Sequence, residues 1–473
     1  MVRLSNKSNF RSSAHIIEIP HFFLFTTKFN SFDINKEEIL KSDKYTYTKN
    51  KDIYSSTFPI IIQSDGNIHE TINLYLIDYL INKGDIAGSN ISSVAIDLLD
   101  YIRFIEHINS NILDFPKLNQ LRITYRYRQN LTERIAKNEI HPSTASQRIN
   151  RVVNFYESCI ENNFLDISSF ENKPYELIMK TINLNGRFNI NYQHKIKSSN
   201  LAIRVAQAND SSYDIKDGGR LKPLSYKDQN ILIEYLSKST NRELELFCKL
   251  ALFTGARIQT IGTLCVKNIK DLKLNNKKEL RVGLGTNIDT KKNTIYYLEI
   301  PDWLIEEIYN YVCSESWNTR AIRSFYGISD ENYIFLTKNG SPFYTSKKQI
   351  NEIKNIAFYE NITKKYVIYR GRSITKNIKD LISIIRKMHK DFSDFSLHDL
   401  RATFGVNLVI YYRDKGYTID QCIDFIRRRM GHISEKTTMH YLNYFDNLDY
   451  KVNIQNKFED IILTRILFKP TIP

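Results

Sequence analysis

From Ser92 onward the apolar positions of this chain recur at three- and four-residue intervals, the spacing that gathers them on one face of a helix. Val94, Leu98, Ile102 and Ile105 form one such stripe, and Ser92 or Ser93 can cap it. A second helix is predicted over residues 121–137. A third follows His141-Pro142-Ser143, with Ser143 as its N-cap and Ile149, Val152, Val153 and Tyr156 on its buried side. Three amphipathic segments this close together predict a small helical bundle. Upstream, residues 1–65 mix short aromatic runs such as His21-Phe22-Phe23-Leu24-Phe25 with polar stretches, the pattern of an appendage with some strand.

The periodicity lapses again over residues 201–222, which are polar, contain Gly218-Gly219 and run into Pro223. This stretch reads as a linker. Ser225 then stands where it can cap a helix carrying Ile231, Leu232, Tyr235 and Leu236. Residues 280–300 alternate β-branched and aromatic positions about a Lys291-Lys292-Asn293 turn, which predicts a hairpin. From about residue 345 the pattern is helical once more. The expected fold is mainly α with a small β-sheet. It divides into an appendage (1–65), a helical domain (66–200), the linker (201–222), a larger α+β domain (223–450) and a tail (451–473). In that tail Phe458, Ile461, Ile462, Leu463, Ile466 and Leu467 make a stripe too apolar for an exposed helix. Packing on its own domain and docking on another protomer both fit it.

Composition narrows the partners. A chain of 473 residues exceeds one typical core, and 42% hydrophobic content excludes disorder throughout. The net charge of +15 favours a polyanion, either nucleic acid or an anionic membrane surface. No apolar run approaches the length of a membrane span, and the first residues lack the apolar core of a signal peptide, so an intracellular protein without a membrane partner is expected. The five cysteines are scattered and have no zinc-knuckle or redox spacing, which predicts reduced thiols and no metal. Between Leu121 and Tyr156 the charge is +5, and Tyr125 and Tyr127 alternate with arginines. Arg122, Arg126, Arg128, Arg148 and Arg151 are the candidate phosphate contacts on this face, against the alternative of an ordinary solvated helix surface.

Three separated segments carry candidate chemistry: Thr254-Gly255-Ala256-Arg257, His398-Asp399-Leu400-Arg401, and Gly431-His432 followed nine residues later by Tyr441. Two arginines can bracket a phosphodiester, each fork donating to non-bridging oxygens. Charge grows on those oxygens during in-line displacement, so fixed cations lower the barrier. His398 and Arg401, three apart, share one helix face. A tyrosine can attack phosphorus once its proton is removed, and a lysine can protonate the departing oxygen.

Together these segments resemble the tyrosine recombinase (integrase) family, which has an arginine in a T-G-x-R segment, a His-x-x-Arg box, and a tyrosine nine residues after a G-H histidine. The resemblance covers about residues 222–445, and extends more weakly to the helical region before it. It implies that Arg257 and Arg401 hold the scissile phosphate, His432 hydrogen-bonds it, and His398 assists proton transfer. It also implies that Tyr441 attacks to leave a 3′-phosphotyrosine and a free 5′-hydroxyl. The family lysine sits in a hairpin turn, where Lys291 fits best and Lys292 is adjacent. Thr260 stands where relatives commonly carry an acid. The resemblance further implies double-stranded DNA as partner, a homo-tetramer on DNA, an accessory DNA-bending protein and no cofactor. It implies a cytoplasmic, nucleoid-associated place in a bacterium or phage-infected cell, and integration or excision of a mobile element. A type IB topoisomerase-like nicking and closing enzyme and an inactive DNA-binding regulator are the alternatives. Tyr444 is the rival nucleophile.

Overall fold

The computed structural model describes residues 10–29, 45–167, 171–185, 191–205, 214–360 and 365–446. The apolar tail stripe from Phe458 to Leu467 lies outside the described residues. The fold is mainly α with small antiparallel sheets. The chain divides into two compact units, one of residues 1–207 with 350–367, the other of residues 208–349 with 368–473.

In the first unit, β1 (His15–Phe29) pairs antiparallel with β2 (Tyr45–Ile62) from His15↔Ile62 to Phe29↔Tyr45, with an irregularity between Phe23 and Phe25. Helices α1 (Glu70–Lys83), α2 (Ser89–His107), α3 (Ile123–Ala136) and α4 (Pro142–Glu161) follow. Val94, Leu98, Ile102 and Ile105 are buried on α2 as their spacing predicts, in one core with Phe58 and Ile61 of β2. The cap differs from expectation. Helix α2 begins at Ser89, ahead of Ser92 and Ser93, because the Asp85 carboxylate accepts from the Asn90 and Ile91 amides at 2.7 and 2.9 Å. Similarly, α4 is capped by the His141 ring, which accepts from the Ser143 amide, so Ser143 lies inside the helix and Pro142 takes its first position. A second hairpin, β3 (Leu177–Asn185) with β4 (Asn191–Ser199), follows the bundle.

The second unit opens with β5 (Ile215–Lys216) and β6 (Arg220–Leu221), a short antiparallel pair inside the stretch expected to be linker. Next come α5 (Tyr226–Ser237), α6 (Arg242–Thr254), α7 (Ile258–Gly262) and α8 (Val266–Leu274). Ser225 caps α5 as expected, accepting from the Asp228 amide. The hairpin is β7 (Glu279–Val282) with β8 (Tyr296–Glu299), joined by a long turn that carries Lys291. The chain continues through α9 (Asp302–Val312) and α10 (Glu315–Ala321), gives α11 (Lys347–Glu360) for the most part to the first unit, and returns through α12 (Arg372–Ile385), α13 (Leu397–Asp414) and α14 (Ile419–Met430) to a helix over 435–446. The core of this unit gathers apolar residues of α5, α6, α8, α9 and α12 around Leu298 and Phe335. A second apolar cluster joins Ile215 and Leu221 to Val409, Ile426, Met430 and Tyr441.

Candidate active site

Four local devices aim the side chains of the site. Helix α6 stops at Gly255, whose φ of +64° suits a residue without a side chain, and the chain turns so that Arg257 heads α7. A Cβ on Gly255 would also collide with the Phe404 ring. Ser396 and Asp399 form a reciprocal capping box at the start of α13, which sets His398 and Arg401 on its first two turns. Gly431 ends α14 and delivers His432. The helix over 435–446 carries Tyr441, and its ring rests on Gly405 of α13. A Cβ there would lie 2.3 Å from Cε1 of the tyrosine, so only glycine admits the ring at this distance.

These devices bring Arg257, Arg401, His432 and Tyr441 to one point, and the group at that point is the carboxylate of Asp217. Arg257 donates from a terminal guanidinium nitrogen to Oδ1 at 2.9 Å. Arg401 donates from Nε to Oδ2 at 2.8 Å, and the Tyr441 hydroxyl donates to the same oxygen at 3.2 Å. His432 Nε2 lies 3.3 Å from Oδ2. The other ring nitrogen of His432 is 3.0 Å from the Thr438 hydroxyl, whose proton can settle on it and leave an Nε2–H facing the carboxylate. Arg401 is fully buried, and its remaining nitrogens donate to the Gly255 carbonyl and, at 2.9 Å, to the Met430 carbonyl. It therefore ties together the ends of α6 and α14.

The electrostatics follow from this crowding. Burial works to raise the Asp217 carboxyl, but the His432 contact and the Arg401 and Arg257 charges overcome it and hold the group well below the usual carboxylate range. Burial pushes the Tyr441 phenol above its ordinary value, with Arg401 opposing and Asp217 adding. His398 is half-buried, and its imidazole is lowered by burial and then by the Arg257 and Arg401 charges. The lowering favours the neutral ring, the form able to accept a proton. Lys291 contributes to the same lowering, and its ammonium lies over Gly218, where a Cβ would come within 2.8 Å of Nζ. Lys292 occupies the left-handed region at φ +57° in the same turn. Thr260 hydrogen-bonds the Asp289 carbonyl at 3.0 Å, so it anchors the start of the lysine turn to α7 without a charge.

The rival Tyr444 is half-buried and packs against the apolar cluster rather than joining the Asp217 group. Asp217 itself was missed in the sequence. Its only local signal is an Asp-Gly-Gly turn, which by itself marks a loop.

The candidate phosphate contacts of the first unit fare differently. Arg122 is buried and donates to the Pro116, Lys173 and Lys117 carbonyls, which makes it a brace rather than an exposed cation. Arg128 donates to the Leu201 carbonyl. Arg148 pairs with Asp100 at 2.7 Å and approaches Asp97 at 3.6 Å. Those two acids lie one turn apart on α2, largely buried, and need countercharge. Arg126 and Arg151 are half-buried. The basic stripe is thus in large part internal structure, a use that counting charges does not reveal.

No family model and no curated protein matches this chain. Among solved structures, the Tn1549 transposon integrase in complex with transposon right end DNA superposes with a TM-score of 0.44 at 12% identity, over 78% of this chain and 93% of that one. A lambda integrase dimer bound to a COC′ core site gives 0.44 at 12%, over 79% and 94%. An integrase from mycobacterium phage Brujita gives 0.26 at 9%, over 80% and 92%. These are distant likenesses of outline, and it is the residues around Asp217 that bear on chemistry.

Proposed function

We propose that this chain is a tyrosine recombinase, a site-specific DNA strand transferase that cuts and rejoins DNA through a 3′-phosphotyrosine at Tyr441. The observation that carries this reading is the convergence of Arg257, Arg401, His432 and the Tyr441 hydroxyl on one pair of oxygens. Two guanidinium groups, an imidazole N–H and a nucleophile about a single small anion are what in-line displacement at a phosphodiester needs.

In this mechanism the Tyr441 oxygen forms a bond to phosphorus and the bond to the 5′ oxygen breaks. Arg257 and Arg401 hold the non-bridging oxygens, and His432 donates to one of them. The phenolic proton passes to neutral His398, and Lys291 supplies a proton to the leaving 5′ oxygen. The phosphotyrosine conserves the energy of the bond it replaces, so a 5′-hydroxyl can reverse the step on another strand. Strand exchange between two duplexes calls for a tetramer on DNA, with an accessory bending protein where the site is long. Excision or integration of a mobile element is the corresponding biological role. Among the described residues no helix is long and apolar enough to cross a membrane.

The test is incubation of the chain with duplex DNA from the ends of its own genetic element. An SDS-resistant protein–DNA adduct with a free 5′-hydroxyl, and recombinant product from two-site substrates, are expected. Relaxation of supercoiled DNA without recombination would favour a nicking and closing enzyme, and no adduct on any end sequence would overturn the proposal.

Gly405→Ala checks the seat of the nucleophile. The added methyl forces the Tyr441 ring aside, and a displacement on the order of 1 Å costs about 100-fold in rate. Adduct formation should fall by that order while DNA binding persists. An unchanged rate would show that the ring's seat does not position the hydroxyl.

A further inference from the structure

Asp217 has no part in the chemistry proposed above, yet it holds more of that chemistry's groups than any other described residue. Its two oxygens sit where the two arginines, His432 and the Tyr441 hydroxyl all point. A carboxylate and the non-bridging face of a phosphodiester are alike in this respect. Each offers two oxygens sharing one negative charge, and each fits guanidinium forks.

The placement is built rather than incidental. Asp217 opens the turn between β5 and β6, and the residues on either side of that turn, Ile215 and Leu221, are buried among Val409, Ile426 and Met430. Beyond it, the Lys222 amide donates to Asp399 at 2.7 Å and the Leu224 amide donates to Thr403 at 2.9 Å, so the segment is pinned along α13. Four anchors hold the turn, and the side chain at its start is an acid.

A role as base for Tyr441 fits poorly. A carboxylate held this far below its ordinary range by two guanidinium groups is a weak proton acceptor. A role beside a bound phosphate fits worse, because the phosphodiester's charge would need the same donors the carboxylate already occupies.

We infer that Asp217 is a phosphate surrogate built into the chain. Its carboxylate fills the anion place of the two-arginine pocket, and a phosphodiester enters only when the turn over 215–221 swings out. The identity of the incoming ligand rests on the recombinase reading, whereas the competition rests on the geometry alone. The device keeps the nucleophile and both arginines satisfied until an anion displaces the acid. It makes the closed and open states an equilibrium that DNA shifts by binding only the open one.

The experiment uses the full chain with Asp217→Asn, Asp217→Ala and Ile215→Ala, the last loosening the turn from its apolar cluster while keeping every charged group of the pocket. The first readout is thermal unfolding with and without inorganic phosphate. Wild type should show little response, and each variant should show a phosphate-dependent rise that disappears when Arg257→Ala is added. A response no larger than wild type in all three variants would overturn the inference. The second readout is single-turnover adduct formation on a nicked duplex. An open state populated at about 0.1–10% in wild type predicts a gain of about 10- to 1000-fold for Asp217→Asn. A slower rate in Asp217→Asn makes Asp217 a positioning residue and overturns the surrogate role. A phosphate response in the variants with no adduct from any protein supports the surrogate while sinking the recombinase reading.

Discussion

Tyr441→Phe is expected to abolish the covalent protein–DNA adduct, while Tyr444→Phe leaves it in place. The argument begins with what the substitution removes. The Tyr441 ring is fully buried against Gly405 and near His432, and only its hydroxyl reaches Asp217. Phenylalanine keeps the ring and its packing. It deletes one buried hydrogen bond, a cost of about 0.5–1.5 kcal/mol, which a unit of this size tolerates. What it cannot keep is the oxygen that bonds to phosphorus, so the loss is of chemistry and not of fold. A nucleophile deletion in a concerted site costs on the order of 10⁶-fold, which here means no detectable adduct. Tyr444 lies three positions on, and it packs against the apolar cluster. Denaturing gels with end-labelled duplex read the adduct, and gel shifts on the same samples report binding. Persistence of the adduct in Tyr441→Phe, with its loss in Tyr444→Phe, would move the nucleophile one helical turn along.

The parts of this site that lie on helices were legible in the sequence because helical geometry ties spacing to direction. His398 and Arg401 share a face by their three-residue separation, and the structure adds the Ser396–Asp399 box that starts their helix. Helix α1 was not legible in the same way. Its stripe of Ile72, Tyr75, Leu76 and Leu80 is interrupted by Asn73, a polar residue that is buried because its amide pairs with the Ile61 backbone in both directions. A polar residue satisfied by the backbone of the preceding strand blurs the pattern from which helices are read. The start of β3 escaped for the opposite reason: Leu177, Ile178 and Met179 form an apolar run that remains exposed. Asp217 escaped because its significance is wholly tertiary. One acid in a glycine turn says nothing until the ends of α6 and α14 arrive beside it. The arginines of the first unit mislead in the same sense, since Asp97 and Asp100 claim Arg148 only once α2 and α4 pack.

Arg401→Ala is expected to damage stability and catalysis together, and the two losses can be pulled apart. The guanidinium is fully buried and its three nitrogens bond three different segments: Nε to Asp217, and the terminal nitrogens to the carbonyls of Gly255 and Met430. Both carbonyls belong to helix C-termini, where backbone acceptors lack partners and the helix dipole is negative. Alanine leaves them unsatisfied and leaves Asp217 with half its countercharge, at a cost of about 3–5 kcal/mol for a broken buried pair. At roughly 2–4 °C per kcal/mol in a unit this large, the unfolding midpoint should fall by on the order of 10 °C. Catalysis should drop by at least about 10²–10³-fold, since one of two groups stabilising the developing charge is gone. Lysine is a poor substitute, because a point charge cannot span three acceptors in the plane of a fork. The separation comes from Arg401→Leu combined with Asp217→Asn. Removing both charges of the buried pair eliminates the uncompensated carboxylate, so thermal stability should recover in part, while adduct formation stays about 10²–10³-fold below that of Asp217→Asn alone. If Arg401→Ala unfolds at the wild-type temperature, the residue is not the brace its contacts describe. If the double variant regains stability and cleaves as fast as Asp217→Asn alone, the second arginine is not part of the phosphate pocket.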